Sequence, residues 1–180
     1  MKGIVFTEFL EMVEDSFGFE TADNIVSQAD LASGGVYTAV GTYPSLEMVS
    51  LVSELSSETE ISISDLLKAF GRHLFGRFVA AYGHFFGGVT DSFTFLGSIE
   101  NYIHVEVKKL YPDAELPTFE IKRLGENQLS MIYRSERGFA DFAEGLIEGC
   151  IAHFEEEVSI QRENLREDLK EVHFVLSRNN

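Results

Sequence analysis

The hydrophobic pattern of this chain changes period at Pro117, and that change restricts the folds open to it. Upstream, apolar residues recur at helical spacing. Phe6, Phe9, Leu10, Val13 and Phe17 follow the i, i+3, i+4 rule, and Gly18 is a natural stop. A second helix is expected from about Thr21 to Gln28, then a loop at Gly34-Gly35. Pro44-Ser45 opens a third helix with Met48, Leu51, Val52 and Leu55 on one face. Ser64-Asp65 is expected to cap a fourth, whose stripe is Leu67, Phe70, Leu74 and Phe78. Gly71 and Gly76 inside it point to something packed close to the backbone, for which a helix crossing is enough. Phe85-Phe86-Gly87-Gly88 reads as a break. A further helix is expected from about Ser98 to Tyr111, ended by Pro112.

Downstream of Pro117 the period is two. Phe119 and Ile121 mark one strand, Gly125-Glu126-Asn127 a turn, and Leu129, Met131 and Tyr133 a second strand running toward Ser135. A helix follows from about Phe139 to Phe154, with Gly145-x-x-x-Gly149 allowing close packing. Two more strands are expected around Glu157 to Glu163 and Val172 to Ser177. A mostly helical N-terminal part followed by an antiparallel sheet of about four strands with an inserted helix reads as α+β. Residues 1–180 are expected to form a single domain.

Composition narrows the partners. The formal net charge is −16, a field that repels nucleic acid and anionic membrane. No apolar run reaches about 18 residues, so no transmembrane helix is expected. Glu8 and Glu11 come too early for a signal peptide, and Cys150, the only cysteine, excludes an internal disulfide. A cytoplasmic location is the simplest expectation. Sixteen Phe and no Trp imply flat apolar walls, suited to packing or to a planar ligand.

Three residues spaced by two carry the clearest chemistry: Tyr133, Ser135 and Arg137. In an extended backbone they share one face and present a phenol, a hydroxyl and a guanidinium. Such a row suits a ligand with carboxylates or phosphates, although polar alternation also occurs on solvated strand faces. Histidines stand at 73, 84, 104, 153 and 173, without H-x-x-x-H spacing, so a structural zinc site is not expected. No G-x-S-x-G, P-loop or dinucleotide fingerprint is present, and the chain is not expected to be an enzyme. His104 lies at the edge of the stripe Ile99, Ile103, Val107, Leu110. By itself it fits a half-buried, hydrogen-bonded His or an axial ligand to haem iron.

In these residues the chain resembles the bacterial H-NOX family, the haem-nitric oxide/oxygen binding domain related to the haem domain of soluble guanylate cyclase. Met1-Lys2-Gly3-Ile4-Val5 is similar to the family's opening helix and Ala69-Phe70-Gly71 to its distal-side helix. His104 falls where the family carries its proximal ligand, and Pro117 where it has a proline against the porphyrin. Tyr133-x-Ser135-x-Arg137 matches its Y-x-S-x-R motif, and Gly145-Leu146-Ile147-Glu148-Gly149 resembles the helix that follows.

The resemblance implies a haem b held between the two parts of the fold, with His104 on the iron and Tyr133, Ser135 and Arg137 on the propionates. It implies that Pro117 keeps the macrocycle non-planar. Val5, Phe9, Leu74, Phe78, Phe142 and Leu146 would form the distal wall. Relatives that hold O₂ carry a distal Tyr where this chain has Phe142. The implied function is therefore a nitric oxide sensor that also takes CO and excludes O₂. Its signal would arise from haem relaxation and release of His104. With the chain ending at Asn180, output is expected through a separate protein such as a histidine kinase or a cyclic-di-GMP enzyme. Cys150 alone cannot build the multi-cysteine zinc site of some relatives.

Two other functions compete. A haem peroxidase or NO dioxygenase needs distal acid–base groups, which the apolar wall lacks. A non-haem module that binds a fatty acid or other carboxylate would use the same Phe-lined cavity and the same polar row.

Overall fold

The structure, a computed structural model, describes residues 1–178. Seven α-helices and four strands are present among them: α1 Gly3–Phe17, α2 Phe19–Gln28, α3 Ser45–Thr59, α4 Ile63–Ala81, α5 Ser92–Gly97, α6 His104–Leu110, β1 Thr118–Arg123, β2 Gln128–Arg134, α7 Ala140–His153, β3 Val158–Asn164 and β4 Glu171–Arg178. The strands form one antiparallel sheet in the order β1-β2-β4-β3. The α+β architecture expected from the change of period is therefore the one observed, with α7 inserted between β2 and β3. No helix of the described residues is long and apolar enough to cross a membrane.

Local chemistry sets the ends of these elements. Gly18, at φ 91°, separates α1 from α2 and returns its N–H to the Glu14 carbonyl at 2.9 Å. The cap of α4 is Ser62, where Ser64 was expected. Ser62 is extended (φ −62°, ψ 146°), and its hydroxyl accepts from the Asp65 N–H at 3.1 Å. The Ser62 hydroxyl also donates to the Asp65 carboxylate at 2.7 Å, so Asp65 serves as the third helical residue and not as part of the cap.

The single helix expected over Ser98–Tyr111 is also corrected. Asp91 caps the short α5 through the Thr94 N–H, a π-helical turn covers Ile99–Ile103, and α6 begins at His104. The break at Phe85-Phe86 is a 3₁₀ turn over Gly83–Phe86.

Two apolar cores result. One is helical, formed by residues of α1 to α4 that include Phe6, Phe9, Leu51, Leu55, Phe70 and Leu74. The other lies between α5, α7 and the inner face of the sheet. Its centre is the alternating set Leu129, Met131 and Tyr133 on β2 and Val172, Phe174 and Leu176 on β4, all buried. Leu146 on α7 packs against both.

The cores are joined by the crossing of α4 and α7. A Cβ on Gly71 would overlap the Phe142 carbonyl, and one on Gly145 the Lys68 carbonyl, so hydrogen is the only side chain that fits either position. A Cβ on Gly149 would come within 2.8 Å of Phe75. Gly76, by contrast, faces open space. Lys68–Glu144 (2.7 Å) and Arg72–Glu148 (2.5 Å) flank the crossing. A buried Glu47 ties the loop before α3 to that helix, accepting from the Ser33 N–H (3.1 Å), the Ser33 hydroxyl (2.6 Å) and the Tyr37 hydroxyl (2.6 Å).

Candidate functional site

His104 is the first residue of α6, directly after the π-helical turn. Its N–H reaches the Ile99 carbonyl five residues back, and Ile103 reaches Ser98 at 3.3 Å. The His104 side chain is 17% exposed. Its Nδ1 lies 3.1 Å from Glu100 Oε1, which also accepts the Phe119 N–H at 2.8 Å. Burial pushes the His104 pKa down, against the opposing pull of Glu100. A neutral ring donating from Nδ1 to that carboxylate leaves the lone pair on Nε2 for a ligand. The Phe119 ring stands 6.2 Å from the His104 ring and 5.6 Å from the Tyr133 ring, joining the two halves of the site. Pro117 is half-buried immediately ahead of β1.

Tyr133 points into the sheet core and is 2% exposed. Burial raises its phenol pKa, against the Ser135 hydroxyl, the Phe139 backbone and Arg137, so this one phenol interacts with the rest of its row. The row is not wholly extended. β2 stops at Arg134, and Ser135 continues only through its N–H to the Lys170 carbonyl at 2.9 Å. The chain then turns, with Gly138 at φ 66°, the Gly138 N–H on the Ser135 carbonyl at 3.4 Å and the Arg137 N–H on the Ser135 hydroxyl at 3.2 Å. A local turn, and not strand alternation alone, sets where Arg137 points.

Arg137 donates to the Glu115 carbonyl at 2.8 Å and to its carboxylate at 2.5 Å. The Glu115 side chain is 83% exposed, so a stronger carboxylate ligand can replace it. Arg137 borders a cleft of about 390 Å³ that Met1, Lys2, Tyr43 and Asp113 also line. The Met1 amine donates to the Tyr43 carbonyl at 2.7 Å, and its pKa is lowered by burial and by Arg137. Met1, Lys2 and Glu115 escape sequence reasoning because nothing in their local pattern places them beside Arg137.

Val5, Phe9, Leu74, Phe78, Phe142 and Leu146 all belong to or pack on the helical core. Phe9 and Leu74 are buried within it, and the other four are half-buried. Phe70 links the wall, edge-on to Phe9 at 5.2 Å and stacked on Phe142 at 5.0 Å. Two tyrosines pack on the same core, but their hydroxyls are engaged elsewhere. Tyr37 donates to Glu47, and the Tyr43 hydroxyl accepts the Thr38 N–H at 2.9 Å.

A neutral imidazole with a free Nε2, flat apolar walls and a cationic rim that already grips a carboxylate match the three parts of a haem: iron, macrocycle and propionates. Glu100 and Phe119, which orient the imidazole, were missed by sequence reasoning. The spacing of Glu100, four residues before His104, was the one available signal for it.

Residues 2–162 match the family model described as Haem-NO-binding. The fold superposes on the Fe(II) unliganded H-NOX protein from K. algicida with a TM-score of 0.95 at 46% identity, covering 100% of this chain and 97% of that one. The Shewanella woodyi H-NOX, solved with IWP-051 in the Fe(II)CO ligation state, gives 0.85 at 40% identity, covering 99% and 95%. An H-NOX protein from S. oneidensis in the Fe(II)NO ligation state gives 0.91 at 26% identity, covering 100% of both chains. Soluble guanylate cyclase 89Db of Drosophila melanogaster is 26% identical over 140 residues, 76% of this chain and 20% of that protein. The chain thus spans about a fifth of the curated relative it matches.

Proposed function

This chain belongs to the Haem-NO-binding family, and from that membership we propose that it is a nitric oxide sensor holding ferrous haem b through His104. When bound, the haem supplies an iron that takes a diatomic gas. Nε2 of His104 is the proximal donor. Tyr133, Ser135 and Arg137 hold the propionates by charge-assisted hydrogen bonds, with Arg137 leaving Glu115 to do so. Pro117 presses on the macrocycle.

The observation that carries selectivity is the wall of Val5, Phe9, Leu74, Phe78, Phe142 and Leu146, which presents no hydrogen-bond donor. Bound O₂ draws negative charge and needs a donor to be held, whereas NO and CO do not. Two of the neighbours, solved with CO and with NO, support those ligands for this chain.

Signalling follows from how loosely the proximal segment is held. The π-helical turn and α6 contribute no fully buried side chain. Release of His104 frees a segment with little packing to restrain it, and relaxation against Pro117 biases the domain between two states. The readout is a separate protein such as a histidine kinase or a cyclic-di-GMP enzyme, and the net charge of −16 favours a basic patch on it. The chain acts as a cytoplasmic sensor and not as a catalyst.

Absorption spectroscopy tests this reading. Purified protein should be red, with a Soret band that moves on adding NO or CO to the reduced form and shows no long-lived O₂ spectrum in air. Phe142→Tyr should gain that O₂ spectrum. A lasting O₂ spectrum in the parent overturns the selectivity. Colourless protein that refuses haem overturns the cofactor and favours a binder of another carboxylate.

A further inference from the structure

We propose that Glu100 is the positioning residue of the proximal histidine: its carboxylate, pinned by the Phe119 N–H, accepts from His104 Nδ1 and strengthens Nε2 as a donor to iron. This rests on the reading of His104 as the haem ligand. The contact differs from an ordinary i, i+4 pair on a helix surface. The two side chains are 17% and 32% exposed, and one oxygen, Oε1, takes both the 3.1 Å contact from His104 and the 2.8 Å bond from Phe119.

The Phe119 N–H is free for this role because β1 is an edge strand, paired only with β2. Glu100 is therefore held by the sheet as well as by its own helical turn. The carboxylate is oriented before any ligand arrives, and His104 is left with one tautomer and one ring orientation.

A carboxylate on the outer nitrogen of a metal-bound imidazole increases the basicity of the inner nitrogen. Partial burial strengthens the effect, because the interaction is less screened than in water. Lys108, one turn beyond His104, opposes it electrostatically. The geometry makes two demands of the proximal bond. Nε2 should favour ferric over ferrous iron more than an imidazole bonded to a neutral partner would. His104 should also resist displacement when NO binds opposite it, so that Glu100 sets how readily the sensor fires.

The test uses the haem-loaded chain and two variants, Glu100→Gln, which keeps the shape and removes the charge, and Glu100→Leu, which removes the acceptor. Resonance Raman of the reduced protein reads the iron–histidine stretch, and spectroelectrochemistry reads the midpoint potential. Both variants should lower the stretching frequency and move the potential positive. They should lose ferric haem to a scavenging apoglobin roughly ten to a hundred times faster. On NO addition the five-coordinate fraction should rise.

A stretch and potential unchanged in both variants overturn the proposal while leaving the haem reading intact. If the parent chain shows no iron–histidine band, the haem reading falls and this inference falls with it. A variant that loads haem poorly is measured on the fraction that loads, since frequency and potential do not depend on yield.

Discussion

His104 meets a carboxylate through Nδ1 and offers Nε2 to a ligand, so one ring is both held and available. His104→Gly removes the donor but leaves the apolar walls and the cationic rim. That variant should purify nearly free of haem, and adding imidazole should restore a Soret band as the small base occupies the vacated space. Restoration without imidazole would place the ligand elsewhere. At this scale the sequence was legible where function depends on residue type and spacing. Tyr133, Ser135 and Arg137 stood out by their alternation and His104 by its place on a helix. Glu100, Phe119 and Glu115 did not, because each acts on a residue of another turn or strand.

Glycine has different meanings in different helices here. Gly76 and Gly145 are both internal to helices, yet only Gly145 lies under another backbone, that of Lys68. Gly145→Ala should destabilise the fold by about 1–3 kcal/mol, because the α4–α7 crossing must open to admit a methyl group. Gly76→Ala should stabilise it by about 0.5–1 kcal/mol, since the added methyl meets nothing and the unfolded chain loses freedom. Urea denaturation of the two variants measures both, and the opposite signs are the check. The sequence located these glycines but did not rank them.

The same holds for the segment before α6. Helical periodicity predicted one helix, whereas the structure inserts a π-helical turn just ahead of His104. A π turn adds a residue without breaking the apolar stripe, so periodicity alone does not register it.

Across the whole molecule, charge is concentrated in a few tethers between distant segments. Asp91 caps α5 and pairs with Arg178 at the end of β4 at 2.5 Å, while the Arg178 guanidinium stacks over the Phe93 ring at 4.1 Å. Burial alone would raise the Asp91 carboxyl. Hydrogen bonds from Thr94 and the Arg178 cation outweigh it and hold the pKa down to about 2. A carboxyl depressed on folding stabilises the fold above its ordinary value of 3.8, and that contribution is lost as pH falls toward about 2. Asp91→Asn should therefore be less stable than the parent at pH 7, by roughly 1 kcal/mol after solvent screening. The gap should close across that acid window. Urea midpoints from pH 7 to pH 2 decide it, and a gap independent of pH would assign the effect to lost packing.

The sequence by itself determined the class of the fold and most of its parts. The change of period at Pro117, the caps and the glycine stops are signals written within a few residues of one another, and short-range backbone and side-chain preferences read them directly. It also determined the residue types available for a haem. Tertiary structure decided what those residues do together. The α4–α7 crossing sets the apolar wall against the sheet core, the edge of β1 gives its free N–H to Glu100, and the turn after β2 carries Arg137 to Glu115. These contacts join residues far apart in the chain. They exist because packing two cores leaves room for one arrangement only, and no local preference encodes that arrangement.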